Sequence, residues 1–319
     1  MKTSLWSELR GAGIGGIATL VILGGIVLLP MVYEPGVFAA MVVLVGVIGG
    51  GLWFAPRLLT SMKWHKPIRL LPDPPPPHWT SLVRERVPIS QELRQEDFQR
   101  LLKLIQVFLH EKHVEGAGGF EVTEEVAVTI AAQACLLLVW RDTGMYPDLR
   151  TIIVYPSATI PKTFDPRTGL LEESGTPILG QSWDTGVVIL SWSSAAQGAF
   201  DPRDGQNVVL HEFAHQLDQE TGEADGVPVG LPLSAVKPWA EVMERRFRQL
   251  KAADRKGRKT VLDTYGATNY AEFFAVATEA FFEKPEQLRQ KKPDLYGLLT
   301  EFYGVDPAEG MRRMDRPVA

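Results

Sequence analysis

The chain has 319 residues, a net charge of −5, and a composition that is 45% hydrophobic and 22% charged. So much apolar content excludes a disordered chain, and a lone cysteine, Cys135, excludes an intrachain disulfide scaffold. Acidic and basic residues alternate without a long single-sign block, so no nucleic acid is expected as a partner.

The average hides two regions. Residues 1–56 carry only Lys2, Glu8, Arg10 and Glu34 as charged side chains, while the other 263 residues carry 67. Residues 11–33 and 37–55 are uncharged runs of 23 and 19 residues. Each is long enough for a helix to cross a hydrocarbon core of ~30 Å. Glu34-Pro35-Gly36 between them reads as a tight turn. A cleaved signal peptide fits less well, because no small-residue cleavage site precedes the second run, which would still anchor the product. Residues 1–56 are therefore predicted to form a transmembrane hairpin that meets the lipid bilayer through residues 11–55. Lys2 and Arg10 precede the first run, and Arg57, Lys63, Lys66 and Arg69 follow the second. This bias places both termini, and everything after residue 56, on the cytoplasmic side of a bacterial inner membrane.

Residues 57–79 read as a basic linker that ends in the run Pro74–Pro77, a stiff extended spacer. A domain is expected over 80–319. Ser90-Gln91-Glu92-Leu93 resembles a helix start, and Phe98, Leu101, Leu102, Leu104, Ile105 and Phe108 follow at helical spacing. Thr123-Glu124-Glu125 opens a second helix, expected from Val126 to about Trp140, buried and containing Cys135. Residues 151–155 and 186–192 read as strands, and the Pro-, Gly- and Ser-rich stretch 161–183 as loops or short hairpins.

Residues 208–218 read Val-Val-Leu-His-Glu-Phe-Ala-His-Gln-Leu-Asp. On a helix, His211 and His215 point the same way one turn apart, so both imidazoles can share one tetrahedral Zn²⁺. Glu212, one step round, reaches water at such an ion without ligating it. Asp218 lies on the histidines' face and can accept a hydrogen bond from a ligand imidazole. A catalytic zinc needs a third protein ligand. Asn269 can cap a helix that carries Glu272 in its first turn among Phe273, Phe274 and Ala275, where a carboxylate needs a partner. Glu279, seven residues on, is the second choice. His110-Glu111-Lys112-His113 reads instead as a solvated helix end, and the Phe273/Phe274 and Phe281/Phe282 pairs as core.

The motif His211–Asp218, its lead-in Asp201–Asn207 and the stretch Tyr265–Pro285 closely resemble the Mlc titration factor A family of zinc peptidases, over roughly residues 90–307. The two motif blocks are also similar to the catalytic domain of anthrax lethal factor. The resemblance implies an α+β zincin-like domain, mostly helical with a small sheet, here preceded by two transmembrane helices. It implies one Zn²⁺ held by His211, His215 and Glu272, with Glu212 as general base. It further implies that Tyr265 donates a hydrogen bond to the developing oxyanion. The activity implied is peptide-bond hydrolysis in a peptide or protein substrate, with a transcriptional repressor as a further partner. The strand at 186–192 is expected to offer an open edge to the substrate, by analogy with other zinc peptidases. Two other classes stay open. One is a membrane-tethered binding protein that sequesters a repressor, its zinc structural or vestigial. The other is a zinc amidohydrolase acting on a non-peptide amide.

Overall fold

The computed structural model describes residues 68–313 apart from 142–143, 159–161, 166–169, 174–179, 184–185, 221–224, 229 and 232. The predicted hairpin (11–33 and 37–55) and the start of the linker lie outside the described residues. Among the described residues, no helix is long and apolar enough to cross a membrane.

Ile68 and Leu71 already pack against the core, ahead of the proline run. Trp79 opens α1 (Trp79–Arg86); it is buried, and its Nε1 donates to Glu124 Oε1 at 2.7 Å. The predicted helix start at Ser90 is not used. Ser90 sits in a 3₁₀ turn, Pro88–Glu92, where Pro88 sets the first position and the Ser90 hydroxyl donates to Val83 O. The helix α2 (Gln95–Glu111) begins five residues later and buries the predicted apolar stripe from Phe98 to Phe108. Helix α3 (Glu124–Leu136) is capped by Thr123, whose Oγ1 accepts from Val126 N–H. It ends four residues short of Trp140, because Leu138, Val139 and Arg141 N–H turn to the carbonyls three residues back. The tightened segment is as buried as the helix, so apolar content alone did not mark the end.

The main sheet has the order β1-β2-β6-β5. Strands β1 (His113–Gly116), β2 (Thr151–Tyr155) and β6 (Val187–Ser191) run parallel, and β5 (Gly180–Trp183) runs antiparallel to β6. Ile152, Val154, Val188 and Leu190 are buried while Thr151, Ile153, Tyr155, Val187 and Ile189 are partly exposed, the period of two that gives a strand one core face. Strand β1 escaped prediction because only Val114 turns inward among His113, Glu115 and Gly116. The loop-or-hairpin reading of 161–183 corresponds to an antiparallel pair, β3 (Lys162–Asp165) with β4 (Leu170–Glu173), followed by β5. The open edge expected of residues 186–192 is not found: β6 pairs with β2 on one side and β5 on the other, and β5 takes the border. Trp192 opens a further helix, α4 (Trp192–Phe200), capped by the Ser191 hydroxyl.

Helix α5 (Val208–Gln219) carries the histidine motif. It packs against α3, β5 and β6, and most extensively against α7 (Tyr270–Glu283). Phe213 anchors it from the side away from the motif histidines, its ring 4.9 Å from Tyr146 and 5.7 Å from Phe108. The Tyr146 hydroxyl in turn donates to Ala134 O at 2.6 Å. Helix α7 is buried along almost its whole length. Phe274 meets Trp239 of α6 (Leu233–Asp254), and Phe281 stacks on Tyr303 at the end of α9 (Pro293–Tyr303), with the short α8 (Pro285–Lys291) between. The paired phenylalanines are thus core, as the helical spacing predicts. The domain is mostly helical with a small, largely parallel sheet.

Candidate metal centre

Two capped helix starts define the site. Asn207 caps α5, its Oδ1 accepting from Leu210 N–H at 3.0 Å, and Asn269 caps α7, its Oδ1 accepting from Glu272 N–H at 2.9 Å. The first cap puts His211 and His215 in the first and second turns of α5, and the second fixes Glu272 in the first turn of α7. The packing of the two helices then brings the three side chains together. His211 Nε2 and His215 Nε2 are 3.2 Å apart, and Glu272 Oε2 is 2.9 Å from the first and 3.3 Å from the second. One ligand atom from each residue lies within 4.8 Å of the others, the only such group of three among the described residues. Two imidazole nitrogens and one carboxylate oxygen converging on a point fit a divalent cation with an open position.

The electrostatics of the cluster match that fit. Burial disfavours a charged imidazole, but hydrogen bonds from the ring to the Glu272 and Glu279 carboxylates prevail and push His211 up to about 10. Burial would raise Glu272, yet hydrogen bonds from His211 and His215 hold its carboxyl well below the usual carboxylate range. The carboxylates of Glu272 and Glu279 thus favour positive charge on the His211 ring between them. Glu212 is buried beside His211 and bears on both that ring and Tyr265.

Tyr265 stands at the mouth, 57% exposed, in the 3₁₀ turn Thr264–Ala267. Asp263 Oδ1 accepts from its N–H at 2.8 Å, its ring lies 5.9 Å from that of His211, and its hydroxyl donates to Glu272 Oε1 at 3.4 Å. Partial burial, with Glu272 and Glu212 nearby, raises the pKa of this hydroxyl, so it stays protonated and able to donate.

Glu279 is not placed as a ligand. Its Oε1 lies 2.7 Å from Nδ1 of His211, the nitrogen that faces away from the cluster, and its Oε2 accepts from Asn207 N–H at 2.6 Å. Seven residues from Glu272 it shares a helix face, but two turns further along it meets the rear of the ring. Asp218 is fully buried, and its Oδ2 accepts from Gly226 N–H at 2.9 Å. Burial pushes its carboxyl up to about 7. The Gly226 carbonyl accepts from Trp239 Nε1 at 2.7 Å, so the segment after the motif is held by α5 and α6 together. Gly226 has φ +78°, and a Cβ there would stand 2.8 Å from Tyr270 O, two residues before Glu272. Only glycine fits both demands. Of the segment read as a solvated helix end, His110, Glu111 and His113 are exposed, but Lys112 is buried and donates to Tyr146 O and Leu149 O. Sequence reasoning missed Asn207 and Glu283 as parts of the site, although an Asn directly before an apolar helix is a legible cap signal.

A histidine pair and a distant glutamate on two packed helices, beside a small sheet, define the class: a metallopeptidase-type domain. Residues 61–304 match the family described as glucose-regulated metallo-peptidase M90, and the chain belongs to that family. It is 38% identical to an uncharacterized protein of Synechocystis sp. over 269 residues, covering 84% of this chain and 96% of that one. It is 31% identical to Mlc titration factor A of Cronobacter sakazakii over 235 residues, covering 72% of this chain and 88% of that one. With Mlc titration factor A of Pectobacterium atrosepticum it shares 32% identity over 234 residues, 72% of this chain and 86% of that one.

Proposed function

We propose that this protein is a membrane-anchored, zinc-dependent metallopeptidase with its catalytic domain on the cytoplasmic face of a bacterial inner membrane. The observation that carries the catalytic half is the meeting of His211 Nε2, His215 Nε2 and Glu272 Oε2 with Glu212 buried beside them. The anchoring half rests on the uncharged runs 11–33 and 37–55 and the basic residues that flank them. His211, His215 and Glu272 would hold the ion, and two imidazoles with one carboxylate are a catalytic zinc set. When bound, zinc supplies a Lewis acid that acidifies water and polarises the scissile carbonyl.

The protein's own groups do the rest. The Glu212 carboxylate takes the proton of the attacking water and returns it to the leaving amine, which needs a group that is close to the ligands without being one of them. The Tyr265 hydroxyl donates to the oxyanion that develops on the carbonyl, once it leaves Glu272 Oε1. The Glu279 carboxylate orients the His211 ring from behind.

The test is hydrolysis of a mixed peptide library by wild type and Glu212→Gln, each checked for bound zinc. Zinc in both with cleavage only by wild type supports the reading, and zinc in both with cleavage by neither removes it. The name of two relatives, Mlc titration factor A, favours a second reading in which the domain also holds a transcriptional repressor. Capture of that repressor by Glu212→Gln at wild-type affinity would separate binding from hydrolysis. A reporter fused after residue 319 that is active only outside the cytoplasm would overturn the orientation.

A further inference from the structure

We propose that Asn207 is a positioning residue of the metal centre: it joins the helix of the two histidines to the helix of Glu272 and aims the carboxylate that locks the His211 ring. The inference rests on the metal-centre reading above and goes beyond it.

Every polar group of Asn207 is engaged. Oδ1 accepts from Leu210 N–H at 3.0 Å and caps α5. Its carbonyl accepts from the N–H of His211 itself at 2.9 Å. Its own N–H donates to Glu279 Oε2 at 2.6 Å, and Glu279 Oε1 meets His211 Nδ1 at 2.7 Å. The side-chain amide donates to Gly198 O at 3.1 Å and to Glu283 Oε1 at 3.0 Å. Three helices meet at this one buried residue: α5 through the cap, α7 through Glu279 at its N–H and Glu283 at its amide, and α4 through Gly198. The approach of α4 is so close that a Cβ on Gly198 would stand 3.0 Å from Asn207 Cα and 3.1 Å from Gln206 O.

A helix cap alone does not call for asparagine, since Ser, Asp and Thr serve as well. The other bonds do. An aspartate would keep the cap, lose both amide donors, and set a third carboxylate beside Glu279 and Glu283. A serine would keep the cap and reach neither Gly198 O nor Glu283. Only the amide offers one acceptor and two donors together. Its two donations fix the extended backbone of Asn207 (φ −126°, ψ 98°), and that backbone directs the N–H at Glu279. Burial pushes the Glu283 carboxyl up to about 8, although the Asn207 bond pulls it down. Glu283 therefore serves the hub as an acceptor and does not need its charge.

The test uses the full chain in detergent micelles, with Zn²⁺ as the probe. Zn²⁺ affinity is measured by chelator competition. The sheltered His211 Nδ1–H proton is followed separately, by its NMR resonance and exchange rate in metal-free protein. Asn207→Ser is expected to keep its helix content, to weaken Zn²⁺ binding about tenfold, and to speed exchange of that proton. Glu283→Gln retains an acceptor for the amide and is expected to match wild type, whereas Glu283→Met is expected to shift in the direction of Asn207→Ser. If Asn207→Ser does not fold, the Glu283 pair decides. Wild-type affinity and exchange in Asn207→Ser, or equal behaviour of the two Glu283 variants where that protein does not fold, would overturn the proposal and leave Asn207 as a cap only. A wild type that binds no Zn²⁺ would remove the peptidase reading, while the exchange comparison would still decide the role of Asn207.

Discussion

The two nitrogens of His211 face different surroundings. Nε2 looks toward His215, Glu272 and the half-open mouth where Tyr265 stands exposed. Nδ1 looks into a buried rear shell of Glu279, Asn207 and Glu283, where each group answers a hydrogen bond from another. The contrast shows how such a centre divides its tasks. The front needs access and a hydroxyl that can change partners, so Tyr265 stands exposed and meets Glu272 Oε1 only at 3.4 Å. The rear needs a fixed ring, so its groups are buried and bonded to one another.

Substitutions on the two sides should therefore separate into effects on chemistry and effects on metal binding or stability. The largest expected effect is at the front. Glu212→Gln should lower kcat by about 10²–10⁴-fold with zinc content unchanged, as measured by peptide hydrolysis and metal analysis. Next is Tyr265→Phe, which should lower kcat by about 10²-fold and leave KM and the melting temperature near wild type, since the ring is mostly exposed. A drop in melting temperature comparable with that of a core variant would move Tyr265 into the rear class. Phe213→Ala, behind the motif helix, should cost about 3–5 kcal/mol in denaturant unfolding, because its ring is enclosed by Phe108 and Tyr146.

Removing the metal sharpens the same division. At a free zinc concentration of 100 times Kd, the ion should add about 2.7 kcal/mol of stability, read as a fall in melting temperature when a chelator is added. His215→Ala should abolish that difference while keeping the fold.

The smallest effect is a pH slope remote from the front. Burial pushes the Glu220 carboxyl up from 4.5 to about 8, against the pull of Arg141 and Lys112. The native state then holds a proton that the unfolded chain has released, so stability falls as pH rises from 4.5 to about 8. Glu220→Gln should flatten this slope, by on the order of 1–3 kcal/mol across the window in urea titrations. A slope unchanged in Glu220→Gln would assign it to other buried carboxyls, Glu283 and Asp218.

Much of this was legible in residues close together in the chain. The spacing of His211 and His215, the cap at Thr123 and the apolar stripe of α2 are local patterns, and local hydrogen bonds enforce them. The start of α2 was misread because Ser90 has the chemistry of a cap, whereas Pro88 and the Val83 carbonyl recruit it into a 3₁₀ turn. Strand β1 was invisible because an edge strand with one inward side chain has little pattern to show.

The sequence by itself determined the histidine pair, the acid beside it and the uncharged N-terminal runs, since each is written within a few residues of one segment. Only the tertiary structure decided which glutamate meets which nitrogen of His211. Glu272 and Glu279 share a helix face, and their spacing alone does not tell ligand from support. The packing of α7 across α5 sets their heights along the ring, with Glu272 at Nε2 and Glu279 at Nδ1, and Asn207 fixes that packing from below.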